Sequence, residues 1–133
     1  MTNSFLVKII TPSQESLYEE VTLANLHGEE GVFGVMKGHS DLVANLTSGI
    51  ITISQRDKTI KYYVDNGVAN VTADKVEILS DFILNSSKND KNSINQKIAD
   101  FKNRLQNHQE GETKHALISS QIKKYQKSLN YIK

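Results

Sequence analysis

Histidines are the residues of this chain best suited to bind a metal ion or to transfer a proton near neutral pH. The sequence has four of them: His27, His39, His108 and His115. None forms an HxxxH or HExxH pair, and Gly111 interrupts the stretch between His108 and His115, so a single helix is not expected to align those two rings. Cysteine is absent, which removes thiolate ligands, thiolate nucleophiles and disulfides. We therefore predict no metal site and a reducing, cytoplasmic setting.

Serines and acidic residues are the remaining candidates for nucleophilic and general acid–base catalysis. Serines are plentiful, but no GxSxG or SxxK motif surrounds any of them. Glu19 lies beside Glu20 and Glu29 beside Glu30, and adjacent side chains of a strand point to opposite faces. Such neighbours do not form an acid–base couple. We therefore predict that this chain catalyses no reaction by itself.

Four glycines lie within the stretch Gly28 to His39, which reads GEEGVFGVMKGH. Glycine is favoured where the backbone needs a positive φ or where another segment comes close. The stretch lacks the GxxxxGK[ST] and GxGxxG spacings that wrap backbone amides around phosphate. A tightly turned β segment is the simpler interpretation of these glycines, and a binding surface is the alternative.

Short alternating apolar stretches, separated by turn residues, run from Phe5 to about Leu84. This pattern is typical of an antiparallel sandwich or barrel. In one predicted hairpin strand, Ile60, Tyr62 and Val64 share the buried face, and Tyr63 is expected on the opposite, solvated face.

The pattern changes after Leu84, where the polar stretch 85–92 is predicted to be a linker that delivers a helix start near residues 90–93. Two apolar stripes at helical spacing follow, separated by Gly111: Ile94, Ile98, Phe101 and Leu105, then Ile118, Ile122, Tyr125, Leu129 and Ile132. They predict an antiparallel two-helix hairpin. Because these stripes form a small core, the hairpin is expected to dock conditionally on the sandwich or on a partner, and a permanently packed hairpin is the alternative.

Charge is divided unevenly along the chain. Residues 1–87 hold eleven acidic and six basic residues, and residues 88–133 hold four acidic and ten basic ones, so the two parts carry net charges of −5 and +6. This asymmetry suggests two modules with different partners. A basic helical hairpin suits either nucleic acid or an acidic protein surface.

No apolar stretch approaches the ~20 residues of a membrane span, and the N-terminus lacks signal-peptide features, so a soluble protein is expected.

The order of these features resembles a known family. The pattern G-E-x-G-x-x-G-x-x-x-G-H from Gly28 to His39, the later SGIITI strand from Ser48 to Ile53 and the closing two-helix tail resemble the epsilon subunit of bacterial F-type ATP synthase. The resemblance implies a β sandwich plus α fold, with ten strands in two five-stranded sheets over residues 1–84, the linker 85–92 and an antiparallel hairpin over 93–133.

The resemblance also implies a function. It predicts a non-catalytic central-stalk (rotor) subunit of the proton-translocating F-type ATP synthase, which couples the gamma subunit to the c-ring in rotational ATP synthesis. The helical tail would inhibit ATP hydrolysis by reaching the alpha and beta subunits. The protein would lie on the cytoplasmic side of the bacterial inner membrane, peripheral and attached only through the complex. The alternative is a free-standing module whose basic hairpin binds nucleic acid.

The resemblance assigns two sets of site residues. The rotor interface with gamma and the c-ring would comprise Glu30, Gly31, Val32, Phe33, Gly34, Met36, Gly38, His39 and Asp41. Basic residues of the second helix that would approach an acidic segment of the beta subunit are Lys123, Lys124 and Lys127.

The sequence departs from the family pattern at several positions. Lys37 and Asp41 stand where members usually have proline, which predicts a less rigid turn, and Val32 stands where many members have a polar residue. Some members bind ATP on the hairpin through an [IL]DxxRA motif, of which the stretch Gly111 to Ala116 retains outright only the alanine. We therefore expect no bound cofactor.

Overall fold

A computed structural model describes residues 3–107, 111 and 113–132 of the chain. The chain divides into two compact units, Met1–Ser87 and Lys88–Lys133. The first unit holds the strands of the structure and the second holds its helices.

The first unit contains nine strands among its described residues. Their bounds are β1 Phe5–Ile10, β2 Glu15–Gly28, β3 Gly31–Val35, β4 Leu42–Leu46, β5 Gly49–Gln55, β6 Lys58–Val64, β7 Gly67–Val71, β8 Lys75–Leu79 and β9 Ile83–Asn85.

Strand pairing organises the nine strands into two five-stranded layers that share β2. One layer has the order β2-β1-β8-β7-β4, and the other has the order β3-β2-β5-β6-β9. The predicted sandwich is confirmed, with nine strands rather than ten, because the 14-residue strand β2 pairs along its first half with β1 and along its second half with β5 and β3. At its end, Gly28 also meets Leu46 of β4, which joins the two layers at one corner.

The core lies on the inward faces of these strands. Alternate residues contribute to it, as period-2 patterning requires. Its buried members are Phe5, Val7, Ile9, Val21, Ala24, Leu26, Val35, Leu46, Ile51, Ile53, Tyr62, Val64, Ala69, Val71, Val76 and Ile78. The hydroxyls of Tyr18 and Tyr62 hydrogen-bond to each other beside this core. Burial raises the pKa of Tyr18 above its usual value, and the hydrogen bond with Tyr62 raises it further, so this phenol stays protonated.

Tyr63 corrects one sequence prediction. It was expected on the solvated face of its strand, but its side chain is fully buried. Its ring meets the edge of Phe82 at 6.2 Å between centroids, and it lies opposite Leu84 of β9. Phe82, which comes just before β9, therefore packs on this face of β6, and alternation within β6 alone cannot reveal such a contact.

A β-bulge bends β2 where it passes from one layer to the other. Glu20 has a φ of 56°, and the pairing register shifts on both sides of Val21. The side-chain amide of Gln55 donates a 2.7 Å hydrogen bond to the Glu19 carbonyl and holds the bend in place. Bulges increase local twist and redirect a strand, which lets one strand serve two layers.

We expect Glu20→Gly to stabilise the sandwich by up to about 1 kcal/mol, because glycine adopts a positive φ without the steric cost that Glu20 bears. Urea denaturation followed by circular dichroism measures the change. Glu20→Ala is the matched control, since it removes the carboxylate and keeps the strain. A glycine variant no more stable than the alanine variant would contradict the prediction.

Two helices form the second unit: α1 Lys91–Leu105 and α2 Thr113–Ser128. Asp90 caps α1 by accepting a 2.8 Å hydrogen bond from the Ser93 amide, within the predicted start region. The apolar stripes face inward, since Ile94, Ile98 and Ile122 are buried, and the predicted hairpin is confirmed. Neither helix, as far as it is described, is long and apolar enough to span a bilayer.

Candidate interaction site

The glycine segment, defined as Gly28 to His39, forms the end of β2, a tight turn, β3 and the turn that follows. Gly31 and Gly38 have φ values of 126° and 81°, which disfavour any residue with a Cβ. The turn at Glu29 and Glu30 leaves both carboxylates exposed at the tip. The glycines therefore build the tightly turned β segment that the simpler interpretation predicted, and its turn presents two acidic residues.

A cleft of about 480 Å³ lies between this hairpin tip and β4. It exists because β4 pairs with β2 only at Gly28, opposite Leu46, and then separates from it. Its apolar walls include Val32 and Val43, whose side chains are 63% and 72% exposed. Glu29 and Glu30 also line the cleft and are exposed, so its apolar residues are joined by an acidic rim. We call it the β3–β4 cleft.

The structure places the predicted interface residues in two groups. Four of them line the β3–β4 cleft: Glu30, Gly31, Val32 and Phe33. The remaining five, Gly34, Met36, Gly38, His39 and Asp41, follow along β3 and the next turn and are not among the lining residues. Met36 is 63% exposed, so this second group also presents apolar surface.

The turn that carries His39 is tethered at Lys37, where the resemblance described above implies a proline. Lys37 forms a 2.7 Å ion pair with Asp74, and the Gly38 amide donates to the Ala73 carbonyl at 3.1 Å. His39 is half-buried, and its Nδ1 lies 2.8 Å from the carbonyl oxygen of Ser40. Contacts to the β7–β8 turn thus hold this segment where a proline ring is missing.

The sequence interpretation missed Val43 and the apolar band next to it. Val43 lies on the outer face of β4 as a diagonal neighbour of Val68, because Asn45 is paired with Val68. Val68 in turn pairs with Leu79, and Leu79 pairs with Ile10, so apolar side chains cross β4, β7, β8 and β1. The only signal in the sequence is a branched apolar residue on the outward side of each strand.

A second groove follows that band. It is lined by Ile10, Thr11, Pro12, Asn66, Gly67, Val68, Leu79, Ser80 and Asp81. Exposed apolar surface that is continuous over several strands marks interaction sites in soluble proteins. The sandwich therefore presents two adjacent surfaces, of which one has an acidic rim.

The described residues hold no group of three or more histidine, aspartate or glutamate side chains close enough to share a metal ion. His108 and Glu112 lie outside the described part of the chain. What the structure brings together at the β3–β4 cleft is apolar surface and paired acidic residues, which suits recognition of another protein.

Comparison with known proteins agrees with this description. Residues 4–86, more than half of the chain, match the family described as "ATP synthase, Delta/Epsilon chain, beta-sandwich domain". The chain belongs to the ATP synthase epsilon family. This confirms the resemblance that the glycine segment and the helical tail suggested.

Two epsilon-chain relatives show the extent of the similarity. The ATP synthase epsilon chain of Rickettsia peacockii is 31% identical over 108 residues, which cover 79% of this chain and 96% of that protein. The ATP synthase epsilon chain of Magnetococcus marinus is 36% identical over 75 residues, which cover 56% of this chain and 55% of that protein. The match therefore spans just over half the length of the Magnetococcus relative and nearly all of the Rickettsia one.

Solved structures share the fold at low sequence identity. A chain of the Euglena gracilis mitochondrial ATP synthase, solved as OSCP/F1/c-ring, has a TM-score of 0.63 and 18% identity, and the match covers 94% of this chain and 76% of that one. A chain of the Tetrahymena thermophila mitochondrial central stalk/c-ring has a TM-score of 0.55 and 14% identity, with 96% of this chain and 98% of that one covered.

The basic residues assigned to the second helix of this epsilon-family chain lie on α2. Lys123 and Lys127, one turn apart, are exposed, and Lys124 is half-buried. Phe101 stacks on Tyr125, with 5.7 Å between the ring centroids. Because these rings pack on each other, the arrangement favours contact with a protein surface over base stacking.

Proposed function

We propose that this chain is a non-catalytic central-stalk (rotor) subunit of a bacterial F-type ATP synthase, which couples the gamma subunit to the c-ring. The observation that carries the proposal is the β3–β4 cleft, an exposed apolar surface with an acidic rim on a sandwich of the epsilon family. In this role the protein lies on the cytoplasmic side of the inner membrane and reaches the membrane only through the complex.

The chemistry of the cleft defines the partner segment that fits it. Val32 and Val43 would be buried by an apolar side chain, and each Å² of apolar surface removed from water contributes about 25 cal/mol. Glu29 and Glu30 at the rim favour a basic group on the partner. A loop that combines an apolar residue with a lysine or arginine meets both requirements.

The apolar band beside the cleft supports a linking role. A subunit that joins two others needs two surfaces, and the band of Ile10, Val68 and Leu79 is separate from the cleft although it borders it through β4. We propose that the cleft and the glycine segment form the rotor contact and that the band extends it toward a second stalk subunit.

The helical hairpin would supply regulation. Residues 88–133 carry a net charge of +6, and α2 presents Lys123 and Lys127 to solvent. Such a face is attracted to an acidic surface, and we propose that Lys123, Lys124 and Lys127 approach an acidic segment of the beta subunit when the hairpin inhibits ATP hydrolysis. If the hairpin has two docking sites, the fraction of protein in each state depends on the difference in binding free energy between the two sites.

A matched pair of substitutions tests the rotor contact. Val43 and Leu17 are both exposed apolar residues on the same outer face of one layer. They lie on its two outermost strands, because successive cross-strand pairs connect Leu17, Lys8, Glu77, Asn70 and Val43. Val43→Asp is expected to weaken binding to a purified complex of gamma and the c-ring by roughly tenfold or more, because it places a carboxylate in an apolar contact. Leu17→Asp should bind like the unaltered protein.

The affinity of each variant is measured by passing it in solution over the immobilised complex of gamma and the c-ring. If Val43→Asp and Leu17→Asp bind equally well, the cleft is not the rotor contact. If the unaltered chain binds neither gamma nor the c-ring, the proposed function itself is wrong.

A further inference from the structure

Lys97 of α1 occupies a position between three parts of the helical unit. Its ammonium nitrogen lies 2.7 Å from Oδ1 of Asn89, in the segment before α1. The same nitrogen lies 5.7 Å from the centre of the Tyr125 ring on α2. One cation therefore contacts the segment that leads into the hairpin and the helix on its far side.

The contact belongs to a larger stack of cations and rings. Tyr125 stacks on Phe101 of α1 at 5.7 Å and an interplanar angle of 30°, and the guanidinium of Arg104 lies 5.4 Å from the centre of the Phe101 ring. Burial raises the pKa of the Tyr125 hydroxyl, so this ring remains a neutral phenol within the stack. The order along the stack is Lys97, Tyr125, Phe101 and Arg104, with a cation at each end.

The stack matters because few apolar side chains are buried between the helices. Among the described residues of the two stripes, the buried ones are Ile94 and Ile98 on α1, Ile122 on α2 and Ile132 just after α2. Two helices with so few buried side chains have marginal stability, so a small additional free energy changes how often they separate.

We propose that Lys97 is a latch that holds α1 against α2 and couples this closure to the segment before α1. Separating the helices takes the Tyr125 ring away from the ammonium, and rotating the leading segment takes Asn89 away from it. The regulatory meaning of the latch rests on the proposed function, whereas the latch itself is a property of the chain alone.

The experiment measures hairpin closure directly. The chain has no cysteine, so Asn103→Cys and Gln126→Cys introduce two unique labelling sites at exposed positions on α1 and α2, outside the stack. Spin labels on these two sites in the full-length protein report the distance between the helices by pulsed electron resonance.

In this background Lys97→Met keeps most of the length of the side chain and removes its charge. It is expected to raise the ratio of open to closed hairpin about two- to fivefold, as loss of a partly exposed cation–π contact predicts. Lys97→Arg keeps the cation and should leave the distance distribution close to that of the unaltered chain. Asn89→Ala, a milder change outside the helices, should raise the ratio by a smaller factor.

An unchanged distance distribution in Lys97→Met overturns the latch. A distribution that changes equally in Lys97→Met and Lys97→Arg overturns it as well, because packing rather than charge would then be responsible. If the distances respond as expected while ATP hydrolysis by the assembled complex does not, the latch stands and the regulatory role of the hairpin fails.

Discussion

Gly67→Ala is expected to destabilise the sandwich by about 3 kcal/mol. A Cβ built at Gly67 would overlap the carbonyl oxygen of Leu79 and lie 3.2 Å from the Cβ of Ser80. The obstructing atom belongs to the backbone of β8, which pairs with both β1 and β7, so it cannot rotate aside as a side chain could. Relief would require β7 and β8 to move apart, and a domain of this size has only a limited margin of stability.

Gly34→Ala provides the matched control for this result. A Cβ at Gly34 would meet only the ends of two side chains, Oδ1 of Asn25 at 3.1 Å and Cδ1 of Leu23 at 3.3 Å, and both can shift. Gly34→Ala should therefore lower the free energy of unfolding by less than about 1 kcal/mol. Urea denaturation measures the stability of both variants, and Gly67→Ala should have the lower midpoint. Equal midpoints would show that β7 and β8 adjust freely around residue 67.

Removing the hairpin after Ser87 is expected to raise the ATP hydrolysis rate of the assembled complex by roughly fivefold or more, if the hairpin inhibits as proposed. The cut belongs after Ser87 because the compact unit ends there. A cut after Leu84 would remove Asn85, which pairs with Tyr62, and the Ser86 amide, which donates to the Lys61 carbonyl at 2.9 Å. Assembly of the shortened chain with the stalk should be unaffected, because the β3–β4 cleft lies in the retained unit.

Two charge variants of the full-length chain locate the inhibitory surface. Replacing Lys123, Lys124 and Lys127 with glutamine should raise hydrolysis in the same direction as the truncation. Replacing Lys88, Lys91 and Lys114 with glutamine makes the same change of net charge at exposed residues outside the assigned set, and it should have little effect. Hydrolysis that stays constant in the truncated complex would mean that the hairpin has only a structural role.

Local patterns predicted most elements of the fold. Alternation placed Tyr62 and Val64 in the core, the helical stripes placed Ile94 and Ile122 on inward faces, and Asp90 caps α1 within the predicted start region. These predictions succeed because strand and helix periods depend on neighbours along the chain.

The same patterns were insufficient where partners are distant in sequence. Tyr63 was expected in solvent and is buried beside Phe82, because a strand pattern does not say whether a later segment will cover its second face. Two five-stranded sheets were expected to need ten strands, and one bent strand serves both, because the bulge at Glu20 depends on contacts such as that of Gln55.

The amino-acid sequence alone establishes the character of this protein: a β unit with net negative charge, a basic helical hairpin, no motif for catalysis and a glycine segment specific enough to indicate the family. The folded structure was needed to show which apolar residues are available to a partner. Leu42 and Val43 are adjacent and similarly apolar, yet Leu42 packs against the core and Val43 is 72% exposed. Adjacent side chains of a strand point to opposite faces, so only one of these two residues can face the core. Because both are apolar, the pair itself does not say which one that is, and the pairing of β4 with β7 and with the end of β2 decides it.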